Sequence, residues 1–166
     1  MEVKSLSVVM PNYNHARFIS MALTAILEQS RRPLEVIVVD DGSCDNSIEV
    51  IESFVRRDPI VRLLRHERNQ GLMAAVASGV AAARGDYLFI PSADDFILPG
   101  FFEKALHVLE AHPQAGLAFA FGSWFDGNTG RVEPSPSKLS AEPCYLAPQQ
   151  LAPKLEGLIP GHAAII

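Results

Sequence analysis

Leu34-Glu35-Val36-Ile37-Val38-Val39 runs without a break into Asp40-Asp41-Gly42-Ser43. A short run rich in β-branched residues, closed by an acidic turn sequence, reads as a buried strand. Working outward, residues 6–10 form another short apolar run that ends at Pro11. Between the two, Ile19, Ala22, Leu23, Ile26 and Leu27 recur at helical spacing, and Pro33 closes that helical region. Beyond Ser43, Asn46 with Glu49 three residues later is a helix-start signature, and Ile48, Ile51 and Val55 supply the apolar face. Residues 61–64 read as a third strand and 72–83 as an Ala-rich helix, apolar nearly all round and so expected to be sandwiched. Gly85 ends that helix, and residues 87–90 read as a fourth strand running into Pro91-Ser92-Ala93-Asp94-Asp95. Pro99-Gly100 precede a helix with Phe102, Ala105, Leu106 and Leu109 on one face, and residues 117–121 read as a fifth strand.

Alternation at this rhythm predicts an α/β fold: a mostly parallel central sheet with helices on both faces. In such sheets ligands sit beyond the carboxyl ends of the strands. The unusual polar residues fall there, as Asn12-Tyr13-Asn14, Asp40-Asp41 and Asp94-Asp95 follow the first, second and fourth strands. Three separate loops are thereby expected to deliver polar groups to one sheet edge.

The rest of the chain narrows the class. Its 166 residues, 48% apolar and 20% charged, suffice to bury a core without disulfides and exclude a disordered tail. A net charge of −5 argues against a nucleic-acid partner, which needs a basic face. Cys44 and Cys144 lack metal or redox spacing and read as free thiols of a reducing compartment. No apolar run approaches the roughly 18 residues that span a bilayer. Met1-Glu2-Val3-Lys4 lead straight into a strand-like segment, so no signal peptide is expected. Residues 126–130 (DGNTG) are a turn signal between short strands, whereas the proline-rich 132–160 carry no readable pattern. The strand-like end, Ala163-Ala164-Ile165-Ile166, leads to the expectation that the natural protein continues.

Adjacent carboxylates repel unless something compensates. For Asp40-Asp41 that is a cation or a donor-rich ligand such as a base N–H or ribose hydroxyl; the alternative is a solvated Asp-Gly turn. Asp94-Asp95 suit a hard divalent cation, Mg²⁺ or Mn²⁺, which takes one or two carboxylates plus substrate phosphates. The alternative there is one capping aspartate and one solvated one. Convergence of both pairs on one edge is not explained by capping. Tyr13 offers a ring face for a base, or else belongs to the core. Backbone N–H groups of Asn69-Gln70-Gly71, at the opening of the Ala-rich helix, could face an anion or simply cap the helix. The five histidines show no metal spacing, and no GxSxG, HExxH or Walker-type motif is present.

Together, Ser7-Val8-Val9-Met10-Pro11-Asn12-Tyr13-Asn14, Val38-Val39-Asp40-Asp41-Gly42-Ser43, Asn69-Gln70-Gly71 and Gly85-Asp86-Tyr87-Leu88-Phe89-Ile90-Pro91-Ser92-Ala93-Asp94-Asp95 resemble the family 2 glycosyltransferases, of the Rossmann-like GT-A fold. The resemblance is close from residue 7 to about 121 and weaker to 161. It implies an inverting transferase acting on a nucleotide sugar, most commonly a UDP-sugar, with a carbohydrate or lipid-linked acceptor. By analogy Pro11 and Tyr13 line the base pocket, with Asn12 and Asn14 beside them, and Asp41 or Asp40 accepts from the base. Asn69 and Gly71 join the nucleotide site. Ser92-Ala93-Asp94 stands where the family carries Asp-x-Asp, so Asp94, with Asp95, is expected to touch the ribose and a divalent cation. Ser92 replaces the first aspartate and is a poorer metal ligand. The family's base follows the region resembling Ile159-Pro160-Gly161-His162, so it is expected beyond Ile166.

Residues 1–122 are accordingly expected to form the nucleotide-sugar-binding domain and 123–166 the start of an acceptor-side region, truncated at the C-terminus. On that reading this sequence is a donor-binding half that binds nucleotide and transfers sugar poorly. A cytoplasmic location fits, peripheral to an inner membrane face where surface polysaccharides are assembled, and homo-oligomerisation is left open. A phospho-accepting receiver domain fits less well, because a whole strand–helix unit precedes Asp40-Asp41. A nucleotidyltransferase would want a Gly-rich basic loop where Pro11-Asn12-Tyr13-Asn14 stand. A non-catalytic nucleotide-binding or assembly domain of the same fold is the remaining alternative.

Overall fold

Two parallel strands in full register set the site. β1 (Leu6–Asn12) pairs with β2 (Glu35–Asp40) from Ser7 opposite Glu35 to Asn12 opposite Asp40. The two strands therefore end level, on an amide and a carboxylate. The computed structural model describes residues 4–134, 144–155 and 164–166. β3 (Val61–Arg65) lies parallel on the outer side of β2, and β4 (Tyr87–Phe89) lies parallel on the other side of β1. β5 (Ala118–Phe119) and β8 (Ala164–Ile165) complete a six-stranded sheet in the order β3-β2-β1-β4-β8-β5, with β8 antiparallel to both neighbours. The strand order reverses between β1 and β4, which is where open α/β sheets leave a crevice.

Helices α1 (Ile19–Leu27), α2 (Ser47–Arg57) and α4 (Phe101–Ala111) cover one face. Period-two alternation sends Val8, Met10, Val36 and Val38 into that core, where Phe89 packs against the rings of Phe101 and Phe102 at 5.5 and 5.4 Å. Helix α3 (Leu72–Ala82) covers the opposite face, over Ile37 and Val39. It lies so close that a Cβ on Gly79 would fall 2.3 Å from Val9 Cγ1. β6 (Ser123–Phe125) and β7 (Val132–Pro134) form a separate two-stranded hairpin, closed at the expected 126–130 turn by Asp126 Oδ1, which accepts from the Asn128 N–H. Helix α5 (Pro148–Leu155) follows.

Several local expectations need correction. β1 does not stop at Pro11 but passes through it to Asn12. β4 ends level with Val8, so no neighbour on that side requires the N–H that proline lacks. Asn46 makes no side-chain cap to α2; Asp45 accepts the Ser47 N–H instead, at 2.9 Å, and the Ala16 N–H at 2.9 Å. The buried stripe of α2 is Ile51 and Phe54, and Val55 turns outward. Helix α3 is not sandwiched. Its Ala75–Gly79 stripe meets the sheet, while Met73 on its outer side is 75% exposed and Leu72, at its open N-terminal end, is 63% exposed. Its small residues serve close approach to one layer rather than burial between two.

Candidate functional site

A cleft of about 430 Å³ opens at the switch between β1 and β4, roofed by the start of α3. Pro11, Asn12, Tyr13 and His15 come from the end of β1, Asp41 from the end of β2, Asn69 and Gly71 from the loop after β3, and Ile90, Pro91 and Ser92 from the end of β4. Four strand ends thus contribute. Leu72, Ala75 and Val76 of α3 add an apolar roof, and Tyr13 presents an exposed ring at the mouth. Of the residues singled out in the sequence, Asn14, Asp40, Ala93, Asp94 and Asp95 do not line this cleft.

Asp40 is fully buried and serves as an anchor. Its Oδ1 accepts from Asn12 Nδ2 at 2.7 Å and Ser43 Oγ at 2.6 Å, and its Oδ2 from the Ser43 N–H at 3.0 Å. It borders a neighbouring hollow of about 500 Å³, shared with Cys44, Arg65, His66 and Glu67. Asn14 fastens the same loops together. It adopts a left-handed backbone (φ 58°), accepts the Cys44 N–H on Oδ1 at 2.8 Å and donates its own N–H to Ser43 Oγ at 2.9 Å.

Asp41 is the buried carboxylate in the cleft wall. His66 Nδ1 lies 2.6 Å from its Oδ1, which also accepts the Gln70 N–H at 2.9 Å; Oδ2 accepts the Gly71 N–H at 2.8 Å. Burial, the largest single influence, pushes the acid toward neutrality. The donors from His66, Gln70 and Gly71 together outweigh it and hold the carboxyl below the ordinary aspartate value. The backbone N–H groups expected to face an anion do so, but the anion is this side chain. Each carboxylate oxygen carries two acceptor sites. Oδ1 is filled by these donors, and Oδ2 keeps a site beside the Gly71 contact. Gly42 makes the arrangement possible: at φ +73° it packs so closely under the loop after β3 that a Cβ would fall 2.7 Å from the Asn69 backbone nitrogen.

Past β4, Ala93 is fully buried and pins the loop, leaving Asp94 and Asp95 exposed at the rim. The Ser92 hydroxyl, itself in the cleft wall, donates to Asp94 Oδ1. The loops of Asp41 and Asp94 therefore share one rim. Among the described residues no group of three or more His, Cys, Asp or Glu could hold a metal ion unaided. Two rim carboxylates are fewer than the oxygen ligands a hard cation takes, so a cation there would need further oxygens, such as those of a diphosphate.

His66 is the site residue that motif reading missed. Its signal was positional: it follows the third strand immediately, at the same edge as the acidic pairs. His15 was missed similarly; its Nδ1 is buried and has no hydrogen-bond partner. Ile159-Pro160-Gly161-His162, the segment expected to precede a base, lies outside the described residues.

The glycosyl transferase family 2 model matches residues 7–166, and the chain belongs to that family. An uncharacterized glycosyltransferase of Haemophilus influenzae is 37% identical over 109 residues, covering 66% of this chain and 44% of its own length. Glycosyltransferase GlyG of Streptococcus pneumoniae is 37% identical over 98 residues, covering 59% of this chain and 33% of its own. Among solved structures, the mannosyltransferase PcManGT of Pyrobaculum calidifontis, in complex with GDP-Man and Mn²⁺, superposes with a TM-score of 0.66 at 25% identity, over 74% of this chain and 37% of that one. The chain thus spans less than half the length of each of these relatives, and it carries their GT-A-type sheet. No helix among the described residues is long and apolar enough to cross a membrane.

Proposed function

We propose that the cleft binds a nucleoside diphosphate sugar and that the protein transfers its sugar, with inversion, to an acceptor hydroxyl. The observation that carries this reading is Asp41: an ionised, buried carboxylate with one acceptor site open, in the wall of a cleft that Tyr13 also lines. A base stacked on Tyr13 beside Pro11 places an N–H or a ribose hydroxyl within reach of that site. Asn12 forms part of the wall, Asn14 and Asp40 support it from behind, Ala93 fixes the loop, and Asn69 and Gly71 complete the lining. Ser92 is suited to a ribose hydroxyl. GDP-Man in the related mannosyltransferase supports the donor class; a UDP-sugar is the first donor to test, by analogy with similar enzymes.

Asp94 and Asp95 would hold the divalent cation, Mn²⁺ or Mg²⁺, and Mn²⁺ in the same relative supports it. Bound there, it supplies positive charge for a departing nucleoside diphosphate. In the transfer the acceptor oxygen bonds to the anomeric carbon as the bond from that carbon to the diphosphate oxygen breaks, and the acceptor's hydroxyl proton passes to a general base outside the residues assigned to the donor cleft. Residues 1–122 supply donor binding, and 123–166 begin the side that meets a carbohydrate or lipid-linked acceptor.

Calorimetric titration with UDP, GDP and dTDP, with and without Mn²⁺, tests the reading. Asp41→Ala should weaken nucleotide binding even without metal, and Asp94→Ala should remove the metal dependence. If both variants bind like the parent, the site is wrongly assigned. The Ser92 departure favours a second reading, nucleotide binding without transfer; release of nucleoside diphosphate from a sugar nucleotide in the presence of acceptor sugars decides between them.

A further inference from the structure

His66 bridges two side chains. Its Nδ1 lies 2.6 Å from Asp41 Oδ1 and its Nε2 lies 2.9 Å from Ser78 Oγ, which belongs to α3. Both the imidazole and the carboxylate are largely withdrawn from water, with side chains 11% and 4% exposed. The order carboxylate, imidazole, hydroxyl is that of a nucleophilic triad. Ser78, however, lines neither the cleft nor the neighbouring hollow, so its hydroxyl is the closed end of the chain and no nucleophile.

We infer that His66 is a positioning residue for donor recognition, locked by Ser78 so that its Nδ1–H holds the Asp41 carboxylate in the orientation that leaves Oδ2 open to the nucleotide. The inference rests on the proposed nucleotide cleft. An ionised carboxylate only accepts, so Nδ1 must carry the hydrogen. In the neutral ring Nε2 then accepts from the Ser78 hydroxyl; in the protonated ring Ser78 accepts instead. A serine hydroxyl serves both states, and the contact to Asp41 survives either way. The other donors to Asp41 are the Gln70 and Gly71 N–H groups of a surface loop. His66 is the one side-chain donor among them, and it ties Asp41 to a helix. Without it, Oδ1 loses one of its two donors, and only the two loop N–H groups, one on each oxygen, remain to hold the carboxylate.

The test compares His66→Ala, His66→Asn and His66→Gln in the full chain, titrated with whichever of UDP, GDP and dTDP binds the parent. Asparagine can place an N–H where Nδ1 stands; glutamine reaches toward Ser78 instead. The expected result is about a tenfold loss of affinity in His66→Ala and His66→Gln, with His66→Asn near the parent. A ¹³C titration of the Asp41 carboxyl supplies a readout without nucleotide: its pKa should stay low in His66→Asn and rise in His66→Gln. Should His66→Ala fail to fold, the Asn and Gln pair decides. Equal nucleotide affinities in His66→Asn and His66→Gln, or an unchanged Asp41 titration in His66→Gln, overturn the inference while the cleft assignment stands. A parent that binds none of the three nucleotides overturns the proposed function, and this inference with it.

Discussion

Asp40 and Asp41 are consecutive, yet their carboxylates share no partner: Asn12 and Ser43 donate to the first, His66, Gln70 and Gly71 to the second. Two like charges in adjacent positions are tolerated because each is ringed by its own donors. The division predicts different phenotypes. Asp40→Ala strips the acceptor from the Ser43 N–H and hydroxyl and one of two acceptors from Asn12 Nδ2, which keeps Ser43 Oγ at 3.2 Å, and a buried donor left unpaired costs roughly 1–3 kcal/mol. Urea unfolding should show a loss of about 3 kcal/mol. If Asp40→Ala instead unfolds like the parent but binds nucleotide as poorly as Asp41→Ala, the anchoring role is wrong.

Gly42→Ala meets two obstacles at once. The position has φ +73°, and the new Cβ would lie 2.7 Å from the carbonyl carbon of Arg68 and from the nitrogen of Asn69. Both neighbours are backbone, so the loop must move, and it carries the Gln70 and Gly71 N–H groups away from Asp41. The variant should lose about 1–3 kcal/mol of stability. Its nucleotide affinity should fall as well. Gly71, whose Cβ would meet nothing within 4 Å, is the control, because Gly71→Ala carries backbone strain without the collision. Equal displacement of the loop amide resonances in the two variants would remove the steric argument.

Acid should weaken the fold in a defined direction. Asp41 and Glu35 both have folded pKa values below their ordinary ones; in each, burial opposes and hydrogen bonds outweigh it. Glu35, 1% exposed, accepts from Ser7 Oγ, the Arg84 N–H and the guanidiniums of Arg62 and Arg84, at the end of the sheet away from the cleft. Such groups bind protons more weakly when folded than when unfolded. They add stability that is complete above the unfolded carboxylate range, roughly pH 4, and is lost as pH falls through their lower folded values. The urea midpoint should be level from pH 7 to 5 and drop below 4. Glu35→Gln should be less stable at pH 7 and show a flatter acid limb; an unchanged limb would assign the acid sensitivity elsewhere. Asp86 offers a direct check, since the Ser5 N–H, the Ser5 hydroxyl and Lys4 lower its carboxyl to about 2, readable by ¹³C titration.

The sheet was legible because its signals are local. LEVIVV closed by DDGS fixes β2, and the same strand–turn grammar fixes β1 and β4, so three loops at one rim follow from topology alone. What could not be read was side-chain pairing across that rim. Nothing local distinguishes Asp40 from Asp41; their separation follows from register, which puts Asn12 opposite Asp40. Pairing of His66 with Asp41 depends on a contact between positions 25 residues apart in the chain. The outer face of α3 misled for a related reason: an apolar helix signals contact, and small residues at Ala75 and Gly79 do not reveal whether one layer or two supplies it.

Ser92 gives the sharpest test of the metal assignment. It stands in the cleft wall, where the family pattern carries an aspartate, and its hydroxyl donates to Asp94. That contact occupies an oxygen of Asp94 and offers a cation only a neutral ligand in return. Ser92→Asp reverses both effects: the donor disappears and a second carboxylate faces the first across Ala93. Without a cation the two acids repel, so the apo variant should melt lower than the parent, and Mn²⁺ should restore the loss by binding only the folded state. Nucleotide binding in the presence of Mn²⁺ should tighten by about tenfold, a difference of roughly 1.4 kcal/mol. Without Mn²⁺ it should weaken, since the diphosphate then meets an added negative charge. An affinity that moves the same way with and without Mn²⁺ would separate Ser92 and Asp94 from the cation and leave them to the ribose alone.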